Sequence, residues 1–462
     1  MKRVSTYALA LSLAVAGGTT AWTAPASAQG YGGSAPASGQ QLENRGNNRS
    51  ENTSEQATTS GFDAGNLSDG VRAQAGAAQT ALSGEAPDLA AIRTQLEGAA
   101  GAIANDDDRY FVGQMMLQLS VAMQNAGAAT PAEVQAIQRR GLQYAVDSGK
   151  LPPADAGRYW TFLGNMANAE EDYPAAMTAY QNALQANPAN PDALIQLANA
   201  QFRTGNSAAG YESADEALRL AREAGTEVPS TWITVPLNQA SRERDAARVA
   251  HYGQQLLVVE PTPDIWSQVL LAYASAARFD DQATLDMLRL LRAAGAHNAD
   301  TYQEHAALAL RRGLPGEAQS VIDEAGTSGV SIASETRSDT QSRLSGDRSS
   351  LDAGRRSAES AANGVEALNT ADAYASYGDY AQAVTLYRLA VEKGGIDAGT
   401  ANLRLASALA ASGQTSEAIS LLDGVSGSRE GLAKFWKVWL EQQSGGTSTP
   451  ADEATSAEET AE

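Results

Sequence analysis

Residues 157–190 read GRYWTFLGNMANAEEDYPAAMTAYQNALQANPAN, with apolar or small side chains at helical spacing throughout. Trp160, Leu163, Gly164 and Ala167 fall at i, i+3, i+4 and i+7 on one face of a first helix, and Ala176, Tyr180 and Ala183 mark a second. Gly164 and Ala176 are small where the two helices must approach, while Trp160 and Tyr180 supply bulk to fill the gaps. Pro188 ends the pair and Asn190 is placed to cap the next helix. Stop and start signals such as Asn187-Pro188, Gly205-Asn206, Gly225, Pro261, Gly295, Gly313, Gly378-Asp379, Gly394-Gly395 and Gly413 then punctuate the chain, and no stretch reads as a strand of useful length. The pattern predicts an all-α chain of antiparallel helix pairs.

The phrase recurs. From Pro191 the chain begins it again, 34 residues after Gly157 with no gap. Residues 191–224 keep Leu197, Ala198, Ala217 and Leu218 but place Gly210 where an alanine is expected. Residues 364–397 keep Ala371, Tyr374, Gly378-Asp379-Tyr380, Ala383, Tyr387 and Ala390, and residues 399–432 keep Leu405, Ala406, Gly413, Ala418 and Leu422. The Trp, Leu-Gly, Ala, Tyr, Ala and Pro at these spacings resemble the tetratricopeptide repeat, a helix-turn-helix unit of about 34 residues. The resemblance implies a right-handed α-solenoid of tetratricopeptide-like helix hairpins with disordered N- and C-terminal tails. Each hairpin hides its apolar face only against its neighbours, so the array needs water-tolerant ends.

The organisation expected from these signals has seven parts. Residues 1–28 read as a signal peptide: Lys2 and Arg3 precede the apolar run ALALSLAVAG, and Ala26-Ser27-Ala28 offers a cleavage site. Residues 29–84 are poor in large apolar side chains and read as a disordered low-complexity linker. Residues 85–155 form an N-terminal helical cap or degenerate repeats, and 156–330 are tetratricopeptide-like, clear at 157–224 and degenerate at 226–330. Residues 331–363 are a polar helix or linker in which arginines and carboxylates nearly balance, with Leu344 and Leu351 as a short seam. Residues 364–443 carry the C-terminal repeats and a capping helix, GLAKFWKVWLEQQ, with Leu432, Trp436, Trp439 and Leu440 on one face; 444–462 are a disordered acidic tail.

Composition narrows the function. The absence of cysteine excludes disulfides, thiol catalysis and cysteine-ligated metals, and with the leader it points to the periplasm, with release to the medium as the alternative. A formal charge of −21 disfavours nucleic acid and anionic lipid. No stretch after the leader is apolar enough to span a membrane.

The family resemblance implies a non-enzymatic module that holds a segment of a protein partner in a concave groove lined by the first helices of successive repeats. Carried onto this chain, the groove positions are Arg158, Thr161, Asn165 and Asn168, then Asp192, Ile195, Asn199, Phe202 and Arg203. Some family members clamp a C-terminal carboxylate with lysine and asparagine; here Asn165 fits, but Thr161 stands at the lysine position and Gln196 replaces an asparagine. The partner is unidentified; self-association into a homo-oligomer is the rival reading, and an enzyme with a dispersed carboxylate site is the third. No cofactor or metal is expected. His251, His297 and His305 do not pair at i, i+3 or i+4, and His305 falls on a core position of its helix. Asp106-Asp107-Asp108 precedes a helix, where carboxylates cap free amides. No phosphate-binding loop, nucleophile elbow or zinc motif occurs.

Overall fold

The computed structural model describes residues 60–445, and among these are twenty α-helices and no strand. Four leading helices are α1 (Asp69–Leu82), α2 (Leu89–Gly101), α3 (Asp106–Ala126) and α4 (Pro131–Asp147). Five hairpins follow: α5 (Pro153–Ala169) with α6 (Tyr173–Ala186), α7 (Pro191–Arg203) with α8 (Ser207–Glu223), α9 (Ser230–Glu243) with α10 (Ala246–Val259), α11 (Pro263–Ala277) with α12 (Asp281–Ala293), and α13 (Ala299–Arg311) with α14 (Pro315–Thr327). The degenerate stretch 226–330 therefore holds three hairpins. A long helix, α15 (Ser334–Ser360), precedes α16 (Val365–Ser376) with α17 (Tyr380–Lys393), α18 (Ala398–Ala411) with α19 (Thr415–Leu422), and the last helix α20 (Glu430–Gly445).

The punctuation works as its chemistry requires. Gly205, Gly225, Gly295, Gly313, Gly378 and Gly413 all have φ between +63° and +83°, the left-handed geometry that ends a helix and that glycine adopts without a Cβ penalty. Asn190 caps α7 by accepting a hydrogen bond from the Ala193 amide at 3.2 Å.

Within the α5/α6 hairpin the close approach expected at Gly164 is real. A Cβ there would lie 2.4 Å from Cε1 of Tyr180, whose ring is 0% exposed. The inward aromatic of α5 is Tyr159 rather than Trp160, which is only half-buried; the Tyr159 hydroxyl pairs with Gln114 of α3, tying the leading helices to the first repeat.

The linker expected over 29–84 is corrected at its end. Residues 60–84 are ordered: Val71, Ala75 and Ala78 are spaced i, i+4, i+7 and are all buried. Small alanines made this face hard to see by bulk hydropathy, yet they suffice where α1 packs closely on α2 and α3. Asp107 and Asp108 hold the preceding segment. Asp107 Oδ1 accepts from the Asp63 amide at 2.9 Å and its Oδ2 from Lys150 Nζ at 3.1 Å, while Asp108 Oδ1 accepts from the Ser68 amide at 2.8 Å. The cap of α3 itself is Asn105, which accepts from the Asp108 amide. The expected leader, residues 29–59 of the linker and the tail beyond residue 445 lie outside the described residues.

The C-terminal helix α20 does more than cover the last hairpin. It packs on α18 and α19 and also on α10, far back in the chain. Phe435, fully buried, meets Tyr273 of α11 edge-on at 5.3 Å, and Gln442 Nε2 donates to the Leu257 carbonyl at 2.8 Å. Gly431 permits this: a Cβ there would lie 2.1 Å from the Tyr273 hydroxyl. The C-terminal hairpins are thereby fastened to the middle of the array.

Candidate functional site

Where α20 closes on the middle hairpins, charged side chains are enclosed. Asp286 of α12, 2% exposed, receives three guanidiniums. Arg404 Nε of α18 donates to its Oδ1 at 2.8 Å, Arg429 Nε to its Oδ2 at 3.0 Å, and Arg289 Nη1 to Oδ1 at 3.3 Å. Arg404 also donates from Nη1 to Asp372 Oδ2 of α16 at 2.7 Å, and the Tyr387 hydroxyl of α17 donates to Asp372 Oδ1 at 2.6 Å. Arg289 forks onto Glu317 of α14 with bonds of 2.9 and 2.7 Å. Three arginines thus face three carboxylates.

The network continues into the two histidines. His305, 0% exposed, joins Glu317 Oε1 through Nε2 at 2.9 Å and His297 Nε2 through Nδ1 at 3.0 Å; His297 Nδ1 lies 3.1 Å from Thr301 Oγ1. One ordered set of protons satisfies every step, with Thr301 donating to His297, His297 to His305 and His305 to Glu317.

Electrostatics follow from this geometry. Burial alone would raise the Asp286 and Glu317 carboxyls, but Arg404 and Arg289 beside the first, and Arg289 beside the second, hold both below the ordinary carboxylate range. Burial pushes His297 down to about 3, with His305 and Arg292 adding to the shift. Burial, with Asp372 alongside, pushes the Tyr387 hydroxyl up. Carboxylates held ionised and fully engaged by guanidiniums are poor proton movers near neutral pH.

This network forms part of the wall of a cavity of about 1030 Å³. Arg292 and Glu324, paired at 2.7 Å, contribute from α12 and α14. Gln341, Leu344, Ser345 and Arg348 contribute from α15, Ser407 from α18, and Trp436 and Trp439 from α20; Tyr377 and Tyr380 flank the turn between α16 and α17. Tyr377, Tyr380 and Trp439 are each half-buried.

None of the nine groove positions expected from the sequence lines this cavity. Two are buried and so leave the expected groove: Ile195 is 3% exposed in the core of α7, and Thr161, 8% exposed, donates to the Gly157 carbonyl and accepts from Asn190 Nδ2. Phe202 is half-buried against Tyr211 at 5.0 Å, in space left by Gly210, where a Cβ would lie 2.5 Å from its ring; this explains the glycine in place of alanine. Asn165 Oδ1 is taken by the Tyr180 hydroxyl at 2.9 Å, and Arg158 pairs with Asp155 at 3.2 Å. Asn168 Oδ1 is enclosed without a hydrogen-bond partner among the described residues. Asp192 and Arg203 are exposed, and Asn199 is half-buried.

The residues that build the cavity wall were missed because they come from seven separate helices and a turn. A signal existed: Arg404 interrupts the alanine-leucine run ANLRLASALAA, and Asp286 stands between Leu285 and Met287 in DQATLDMLRLL. A lone charge on an otherwise apolar helix face announces a buried partner. His297 and His305, eight positions apart, escaped a search at i+3 and i+4 because a turn before α13 brings them together.

Residues 164–205 match the family model described as TPR repeat, a span running from the end of α5 through α7. No curated protein matches the chain. Among solved structures the chain is similar to a tetratricopeptide repeat protein from Parabacteroides merdae, at 13% identity over 64% of this chain and 98% of that one, with a TM-score of 0.31. It is also similar to the TPR2AB domain of yeast Sti1 in its pHSP90 complex, at 16% identity over 62% of this chain and 98% of that one, with a TM-score of 0.25. A third is pilF of Pseudomonas aeruginosa, at 17% identity over 63% of this chain and 99% of that one, with a TM-score of 0.16.

Proposed function

We propose that this chain is a non-enzymatic, protein-binding scaffold of the bacterial cell envelope, which seats a segment of a partner protein in the cavity between its middle and C-terminal hairpins. The observation that carries the reading is the wall of that cavity. Its buried charges neutralise one another, so beside the exposed Asp323 and Arg348 it offers an incoming chain the rings of Tyr380 and Trp439 and neutral hydrogen-bonding groups at Gln341, Ser345 and Ser407. Such a surface suits a polypeptide, whose backbone needs donors and acceptors and whose apolar side chains need a flat ring to rest on. The repeat match at 164–205 supports an interaction module, and the residues from Lys2 to Ala28 support export to the envelope.

The test is photo-crosslinking from a residue introduced at Ser407, in envelope extract, with Asn165→Ala/Asn199→Ala as a comparison background. The reading expects one heteromeric adduct, unchanged in that background. Adducts formed only between copies of this chain, with concentration-dependent assembly in light scattering, would replace it with the self-associating reading.

A further inference from the structure

We propose that α15 is the gate of this cavity: a detachable wall, held by polar latches instead of a buried apolar face, whose release admits the partner segment. The longest of the described helices, α15 runs for 27 residues and buries only Thr340 and Ala358. Leu344 and Leu351, its only large aliphatic side chains, are half-buried. By contrast α12, with 13 residues, buries four leucines and a methionine. Since docking strength follows apolar area removed from water, α15 is bound far more weakly than the helices around it.

Its own sequence adds little. Eight serines, two threonines and two glycines make a poor helix, and several serine hydroxyls donate back to carbonyls three or four positions earlier, as Ser342 does to Asp339 and Ser349 to Gly346. What holds α15 is a set of side chains on its neighbours. At its start Gln303 accepts from the Ala333 amide at 2.8 Å. In the middle the Tyr377 hydroxyl donates to Asp347 Oδ2 at 2.7 Å while Arg348 lies over the same ring at 5.5 Å. At its end Lys393 Nζ donates to the carbonyls of Ala358, Glu359 and Ala361 at 2.9, 2.8 and 2.6 Å, engaging the negative end of the helix. Each of these bonds can be exchanged for water, so the cost of opening is low, and α15 belongs to the low-stability end of the molecule. The facing walls, on α12, α14, α16, α18 and α20, are anchored in the core. Lifting α15 removes one side of the cavity and frees the Tyr377 ring.

The inference rests on the cavity as the partner's seat for what passes the gate, but its test uses the free protein. Hydrogen exchange is followed by mass spectrometry in the wild type and in Gly354→Cys/Thr370→Cys. A Cβ at Gly354 lies 3.9 Å from that of Thr370 on α16, a disulfide spacing, and the chain has no other cysteine to compete. In the wild type and the reduced variant, α15 is expected to exchange at least ~10-fold faster than α14 and α16, and oxidation is expected to bring it into step with them. Lys393→Met should speed exchange in the last turns of α15 in the wild-type background. Exchange of wild-type α15 in step with α14 and α16 would overturn the gate, as would an oxidised form whose α15 exchanges no more slowly. If the variant does not fold, the wild-type comparison and Lys393→Met decide. A failed crosslink at Ser407 would leave this result standing, and synchronous exchange would leave the seat standing.

Discussion

Asp286 and Arg404 stand 118 positions apart in the chain and meet inside the protein, Nε to Oδ1, at 2.8 Å. The two residues belong to hairpins that are not neighbours in the array, and their meeting fixes how the C-terminal hairpins sit on the middle ones. An enclosed ion pair of this kind contributes little net stability, because the attraction roughly offsets the cost of taking charges out of water. Its removal from one side is another matter.

Asp286→Asn leaves the Arg289, Arg404 and Arg429 guanidiniums with one carboxylate fewer. Breaking a buried pair from one side costs about 3–5 kcal/mol, and a loss of this size is expected as a lowered urea midpoint with early proteolysis within α16–α20. Asp286→Asn/Arg404→Met should cost less than the sum of its single variants, since the two residues act as one unit. Strict additivity would show that they are not coupled.

Acid should loosen the fold from the His297 end. With its folded value pushed down to about 3 from an ordinary 6.5, the unfolded chain binds more protons between those limits, so stability falls as pH drops through that window and is untouched by this group above it. Thr301, Tyr302, His305 and Arg292 face the ring and none supplies a negative charge to offset protonation. His297→Gln should shrink the Tm difference between about pH 7.5 and about pH 4.5. The carboxylates Asp286 and Glu317, held low, add their own loss as pH falls through and below their ordinary values of 3.8 and 4.5, in the lower part of the His297 window and beyond it.

Gly164→Ala should destabilise although alanine is the better helix former. The added methyl meets Tyr180 Cε1 at 2.4 Å, and overpacking of this kind costs about 1–3 kcal/mol, more than the ~1 kcal/mol that helix propensity returns. Thermal unfolding of the full chain would read the difference, and a rise in Tm would show that Tyr180 has room to move.

Phe435→Ala tests the return of α20 to the middle of the array. A fully buried phenylalanine cut to alanine costs about 3–5 kcal/mol, and here the loss should be accompanied by faster hydrogen exchange in α10 and α11 as well as in α20. Exchange confined to α20 and α19 would mean that the contact with α10 carries no stability.

The hairpins were legible because each is local. Periodic small and apolar residues, a capping asparagine and a glycine stop lie within one 34-residue phrase, and the helix ends fall within a few residues of those signals. The leading helices were legible for the same reason, apart from α1, whose inward face is Val71 and two alanines and whose anchor, Asp107 and Asp108, lies some forty positions on. Groove positions carried over from the family fared worse. Their side chains at Thr161, Ile195 and Phe202 are used to pack one helix on another, and a register rule does not see that Gly210 has opened a pocket for Phe202. The pairing of Asp286 was harder to read for a different reason: the lone charges at Asp286 and Arg404 announce buried partners, but Arg404 and Arg429 lie 118 and 143 positions from Asp286 and meet it only once the C-terminal hairpins have closed on the middle of the array.

The seam between Phe435 and Tyr273 also bears on how such a chain changes over generations. An open row of hairpins lengthens or shortens by whole units, because a new unit disturbs only the two beside it. Here a unit duplicated or lost between α11 and α20 would shift one lip of the seam against the other, so this stretch is locked at its present count while additions ahead of α10 stay free.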